Sequence, residues 1–142
     1  MKKRPFLLLE VLLALSLVII CAVPLVKQPL KLYKNEVAYL EKMERERLAD
    51  WTFTEVKEIL LKNGIPWEKI PPRGTKTGPF PLPSVVMEIP GCKTKVIERK
   101  FFLKGRGEKV GKENQIYRQI GVHVILNGYE YEFRIPVQRL LV

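Results

Sequence analysis

Residues 2–26 constrain this chain more than any other stretch. Lys2, Lys3 and Arg4 come first, and about twenty apolar residues follow from Phe6 to Val26 with a single ionisable side chain among them, Glu10. As a helix, 5–26 rises about 33 Å, enough for a hydrocarbon core of about 30 Å. The run therefore predicts a transmembrane helix over 6–26. The basic flank ahead of it predicts a cytoplasmic N-terminus, with the remainder emerging on the far side. A secretory signal peptide cut after Ala22 would want a second small residue two positions earlier, where Ile20 stands. Nor does Val18-Ile19-Ile20-Cys21 resemble a lipoprotein box, which wants small residues before the cysteine.

Glu10 is the informative exception inside the run. An ionised carboxylate in lipid costs at least a few kcal/mol unless it is shallow or paired. It lies about 7 Å along the helix from the start of the apolar stretch, near the cytoplasmic edge.

The stretch Lys3-Arg4-Pro5-Phe6-Leu7-Leu8-Leu9-Glu10-Val11-Leu12-Leu13-Ala14-Leu15 resembles the class III signal of type IV pilins and type II secretion pseudopilins. Those signals carry a short basic leader (here 1–5), a cleavage point before Phe or Met, and a Glu one helical turn further on. Phe6 and Glu10 match these positions, and Pro5 stands where the family normally has Gly. The resemblance implies that a prepilin peptidase cuts between Pro5 and Phe6 and methylates the new amine. It implies that Glu10 compensates the α-amino charge of a neighbouring subunit during assembly. It also implies the expected partners: other pilin-like subunits, the peptidase, a secretion platform with its ATPase, and the membrane. The implied setting is a bacterial inner membrane with the C-terminal domain in the periplasm. The physics agrees, because an amine and a carboxylate together offset each other's burial cost in a bundle of low dielectric.

Downstream, Pro24 and Pro29 flank the exit from the membrane, and Pro24 is expected to kink the helix or end it near Val23. From Leu30 to Asn63 the pattern turns amphipathic. Leu32, Val37, Leu40, Leu48, Trp51, Val56, Ile59 and Leu60 recur largely at helical steps. The spacing breaks near Glu44 and Arg47, which argues against a coiled coil. Glu41 with Arg45 and Glu58 with Lys62 are favourable pairs one turn apart. Gly64 and Pro66 end the stretch, while Thr52 and Thr54 leave open one helix or two.

Residues 64–83 hold six prolines and three glycines and predict a loop, extended over Pro79–Pro83. Beyond it the period changes from helical to two. Strands are expected over Val85–Ile89, Lys93–Lys104, Gln115–Leu126 and Tyr129–Val137, with a charged, flexible loop over Gly105–Asn114. Asn127-Gly128 is a type I′ hairpin signal. The whole reads as α+β: a long N-terminal helix, half in the membrane and half amphipathic, packed on a small antiparallel sheet over 84–142, as in pilins.

Catalytic chemistry finds little support. His123 is the only histidine and Asp50 the only aspartate, and nothing positions Ser16 or Ser84 as a nucleophile. Gly105, Gly107 and Gly111 lack the Lys-Ser/Thr ending of a phosphate loop. Glu88, Glu98, Glu130 and Glu132 read as a solvated strand face. Cys21 and Cys92 are too few for a zinc site, and Cys21 lies in the apolar run, so no bridge between them is expected. The formal charge of +10 is scattered among acids, without the basic-aromatic stripe of a nucleic-acid binder. The expectation is a non-enzymatic protein with no cofactor and no metal site. It is either a pilin-like subunit or a single-pass anchor whose outer domain binds an envelope partner.

Overall fold

The computed structural model describes residues 6–139. It holds one long helix, α1 (Phe6–Leu61), and four strands, β1 (Phe80–Met87), β2 (Lys95–Val110), β3 (Ile116–Leu126) and β4 (Tyr129–Gln138). The chain divides into two compact units between Leu40 and Glu41. The first is the apolar part of α1. The second holds the distal part of α1 and the sheet, and is called the head below.

The helix does not end at Val23. It runs through both Pro24 and Pro29. A proline forfeits one intrahelical hydrogen bond, and neighbouring side chains or small local adjustments make good that loss in apolar helices. Thr52 and Thr54 do not restart it. Thr54 donates from Oγ1 to the Asp50 carbonyl at 3.0 Å, and Thr52 is fully buried. In the head, α1 buries Leu48, Ala49, Thr52, Val56 and Leu60, a single stripe at helical spacing. Trp51, expected in that stripe, is half exposed. The stripe's centre falls at Thr52, four residues from both Leu48 and Val56.

All four strands form one antiparallel sheet in the order β1-β2-β3-β4. Each strand pairs with its sequence neighbour, which is the cheapest topology for the chain to close. The hairpin at Asn127-Gly128 fixes the β3–β4 register, with Leu126 opposite Tyr129 and Val122 opposite Phe133. Both turn residues have positive φ, 46° and 86°, as a type I′ turn demands. Counting outward by twos from that turn puts Ile120, Val122, Val124 and Leu126 on one face, and all four are fully buried. Ile97, Phe101 and Leu103 of β2 join them, and α1 covers the layer. Each such side chain contributes about 1.5–3 kcal/mol by leaving water.

The strands depart from expectation at two places. β1 begins at Phe80, earlier than Val85, because Pro81 and Pro83 sit on an outer edge strand where their missing N–H groups go unused. β2 continues through Gly105–Val110, the stretch read as a charged loop. It pairs there with Ile116–Gln119 across a register shift between Gly105 and Gly107. The loop is confined to Gly111–Gln115, with Glu113 and Asn114 at positive φ. Before β1, the Pro-rich segment runs alongside β2. The Thr77 amide donates to the Leu103 carbonyl at 2.8 Å, and the Gly105 amide donates to the Thr75 carbonyl at 2.9 Å. Gly105 is required there, since a Cβ would lie 2.0 Å from the Pro72 carbonyl oxygen.

Candidate functional site

In the first unit, the residues singled out by the sequence are Pro5, Phe6 and Glu10. Pro5 lies outside the described residues. Phe6 is the first residue of α1 and is 75% exposed. Glu10 follows one turn later on the same helix. It is exposed and has no hydrogen-bond or ion-pair partner among the described residues. Every residue from Phe6 to Glu36 is exposed, including Leu7, Leu8, Leu9, Leu12 and Leu13. The hydroxyl of Ser16 donates to the Leu12 carbonyl at 2.5 Å, so its polarity is consumed within the helix. The helix is long and apolar enough to cross a membrane. A continuous apolar surface of this size is not stable in water, which fits anchoring in a bilayer.

The head carries two polar features that sequence periodicity did not separate from surface. The first is Arg99. It lies between Ile97 and Phe101 on β2, shares their face and is buried. Its Nη1 donates to Glu55 Oε2 at 2.8 Å and to Thr52 Oγ1 at 3.2 Å, and its Nε donates to the Pro83 carbonyl at 2.9 Å. The guanidinium also lies 4.9 Å from the Trp51 ring centroid. The cation is thus compensated from α1 and β1 at once, the condition under which a buried charge is tolerable. Two other arginines also stack on aromatic rings of the head. Arg118 donates to the Ile70 carbonyl at 2.9 Å and stacks on Trp67 at 4.4 Å. Arg45 stacks on Tyr129 at 3.7 Å and donates to the Tyr131 hydroxyl at 3.2 Å. Glu41 pairs with Arg45 as expected, at 3.9 Å, and also binds Lys95 at 2.6 Å.

The second feature is a charged cluster on the sheet face opposite α1. His123 lies opposite Glu132 on β4 and opposite Phe102 on β2. Its ring stacks on Phe102 at 4.5 Å, and its Nδ1 is 2.5 Å from Glu130 Oε1. Its Nε2 is buried without a hydrogen-bond partner among the described residues, 4.0 Å from Glu132 Oε1. Glu132 in turn accepts from Arg106 and lies 3.8 Å from Arg134. Burial favours the neutral form of Glu132, but the Arg106 hydrogen bond and the charges of Arg106, His123 and Arg134 outweigh it. They hold this carboxyl below the usual carboxylate range. The cluster was legible in principle. Counting back from Asn127-Gly128 places His123 across from Glu132 by register alone.

Among the described residues, no group of three or more His, Cys, Asp or Glu side chains is arranged to hold a metal ion. Cys21 and Cys92 are both free thiols. A surface concavity of about 370 Å³ lies between β1 and the hairpin tip and is lined by Pro81, Leu82, Ser84, Glu98 and Asn127 among others. No protein-family model, curated protein or solved structure compared with the chain matches it.

Proposed function

We propose that the chain is a pilin-like structural subunit, a minor pseudopilin of a type II secretion-like system. In this reading it is stored in the bacterial inner membrane by α1, N-terminus cytoplasmic and head periplasmic. Assembly moves the apolar helix from lipid into a bundle of like helices within a filament that aids protein export. The work is supplied by a cytoplasmic ATPase acting through a membrane platform. The head contacts neighbouring subunits or exported cargo, and no catalytic step, cofactor or nucleic acid is involved.

One observation carries the reading. Phe6 and Glu10 open a helix that is apolar and exposed in its first part and covered by an antiparallel sheet in its distal part. A carboxylate at that point costs free energy in lipid as long as it stays unpaired. The amine of a processed Phe6 on an adjacent subunit would neutralise it, which gives each subunit a reason to enter the bundle in one axial register.

A second reading is favoured by Pro5. A proline ahead of the scissile bond fixes φ and removes an N–H that a peptidase would grip. The chain would then stay uncleaved as a single-pass anchor, with the head binding an envelope partner. Intact-mass measurement on protein recovered from its native membrane separates the two. The subunit reading expects a chain beginning at N-methyl-Phe6, and a mass retaining residues 1–5 rejects processing. Assembly is tested separately by Glu10→Ala, which should abolish crosslinks to other pilin-like subunits while membrane insertion persists. Unchanged crosslinking would reject the role given to Glu10.

A further inference from the structure

His123 is arranged so that one proton decides its bonding. Its side chain is only 9% exposed. A carboxylate can only accept, so the short contact with Glu130 places a hydrogen on Nδ1. In the neutral ring Nε2 is then a bare lone pair. It faces Glu132 Oε1, a second acceptor, and no hydrogen bond can form between them. In the imidazolium both nitrogens carry a proton, and Nε2–H then has an acceptor to close on in Glu132 Oε1, 4.0 Å away. Gly121 leaves the room for this. A Cβ on Gly121 would stand 3.2 Å from Glu132 Oε1 and 3.4 Å from His123 Nε2.

The surroundings keep the second carboxylate ready. Glu132 stays below the usual carboxylate range, so it is ionised throughout the interval in which an imidazole gains its proton. The charged groups on this sheet face are Glu98, Lys100, Lys104, Arg106 and Lys109 from β2 and Glu130, Glu132 and Arg134 from β4, with Lys76 of the loop 5.9 Å from the Phe102 ring. Arg106 and Arg134 are both directed to Glu132 rather than to the ring.

We propose that His123 is a proton-operated clasp between β3 and the edge strand β4. On acidification it donates to Glu130 and Glu132 at once and holds β4 more firmly to the sheet. β4 is an outermost strand, held to the sheet on one side alone, by β3. This inference does not depend on the filament reading.

The test uses the full-length protein in detergent micelles, with amide hydrogen exchange followed at pH about 5.5 and about 7.5 and corrected for intrinsic rates. Peptides from β4 should be protected about threefold or more at the lower pH, while those from β1 change little. His123→Gln should remove the difference. Glu132→Gln, which gives Nε2 a permanent donor, should remove it as well. Nitrogen-15 imidazole shifts should show the Nδ1–H tautomer at the higher pH. Equal β4 protection at both pH values, a difference that survives both substitutions, or the Nε2–H tautomer would each overturn the clasp.

Discussion

Arg99 on β2 and Glu55 on α1 meet at 2.8 Å across the helix–sheet interface, the guanidinium 3% exposed and the carboxylate 34% exposed. The two ends of this pair are therefore unequal. Removing the carboxylate strands a charge that has no water, whereas removing the guanidinium leaves a carboxylate that can rehydrate.

The inequality predicts an order of effects. Glu55→Ala should destabilise the head by about 3 kcal/mol, since the buried cation loses its countercharge. Arg99→Met, which keeps volume and removes the charge, should cost about 1 kcal/mol or less, because an apolar replacement of a buried pair is often near neutral. Urea titrations of the full chain in micelles, read by Trp51 and Trp67 fluorescence, give both values. Equal losses would mean that Arg99 is solvated when the carboxylate is gone.

Gly105 and Gly121 differ in what a methyl group would meet. At Gly105 the obstacle is the Pro72 and Pro71 backbone, at 2.0 and 2.6 Å. At Gly121 it is the ends of the Glu132, Arg106 and His123 side chains, all beyond 3 Å. Gly105→Ala should cost about 3 kcal/mol or more, as a rigid overlap must be relieved by moving the loop off β2. Gly121→Ala should cost about 1 kcal/mol, with the side chains shifting aside. Midpoints of chemical unfolding compare the two directly.

Arg118 closes the open end of the core by holding the Pro-rich segment at Ile70 and Trp67. Arg118→Ala should cost about 1–2 kcal/mol through the lost hydrogen bond and stacking. It should also shift Trp67 emission to longer wavelength as the ring gains water. A Trp51→Phe background isolates that signal. An unchanged spectrum would show that the loop is held by its apolar contacts alone.

Glu58 and Glu44 carry the helix's pH sensitivity on its outer surface. The hydrogen bond from Lys62 holds Glu58 below the usual carboxylate range, and that from Arg47 does the same for Glu44. Both pKa values are depressed on folding, so the contribution is present above the ordinary carboxylate value. It is lost as pH falls through the depressed folded value. Lys62→Ala should move the Glu58 midpoint upward in a carboxylate-resolved NMR titration. It should also weaken the acid-side loss of helicity near Leu61. Both groups are exposed, so high salt should blunt the effect.

Sequence by itself determined the periodic parts of this protein. The apolar run beginning at Phe6 specifies a membrane-length helix, because neither side chains nor backbone have an alternative in lipid. The Asn127-Gly128 turn and its flanking alternation specify a hairpin in one register, because a slip by one residue would turn Val122 and Val124 outward. Local spacing is all these inferences need. Tertiary structure decided what depends on which element lies opposite. Arg99 reads as surface by its charge, and it is buried only because Glu55, Thr52 and the Pro83 carbonyl converge on it from two other elements. Gly105–Val110 reads as a loop by its glycines and charges, and it is a strand because Ile116–Gln119 lies beside it and supplies the ladder. His123 reads as a lone histidine, and it becomes a two-sided acceptor site only when β4 brings Glu130 and Glu132 against its ring. Pairings of this kind join residues far apart in the chain, and their energies belong to the contact rather than to either residue alone.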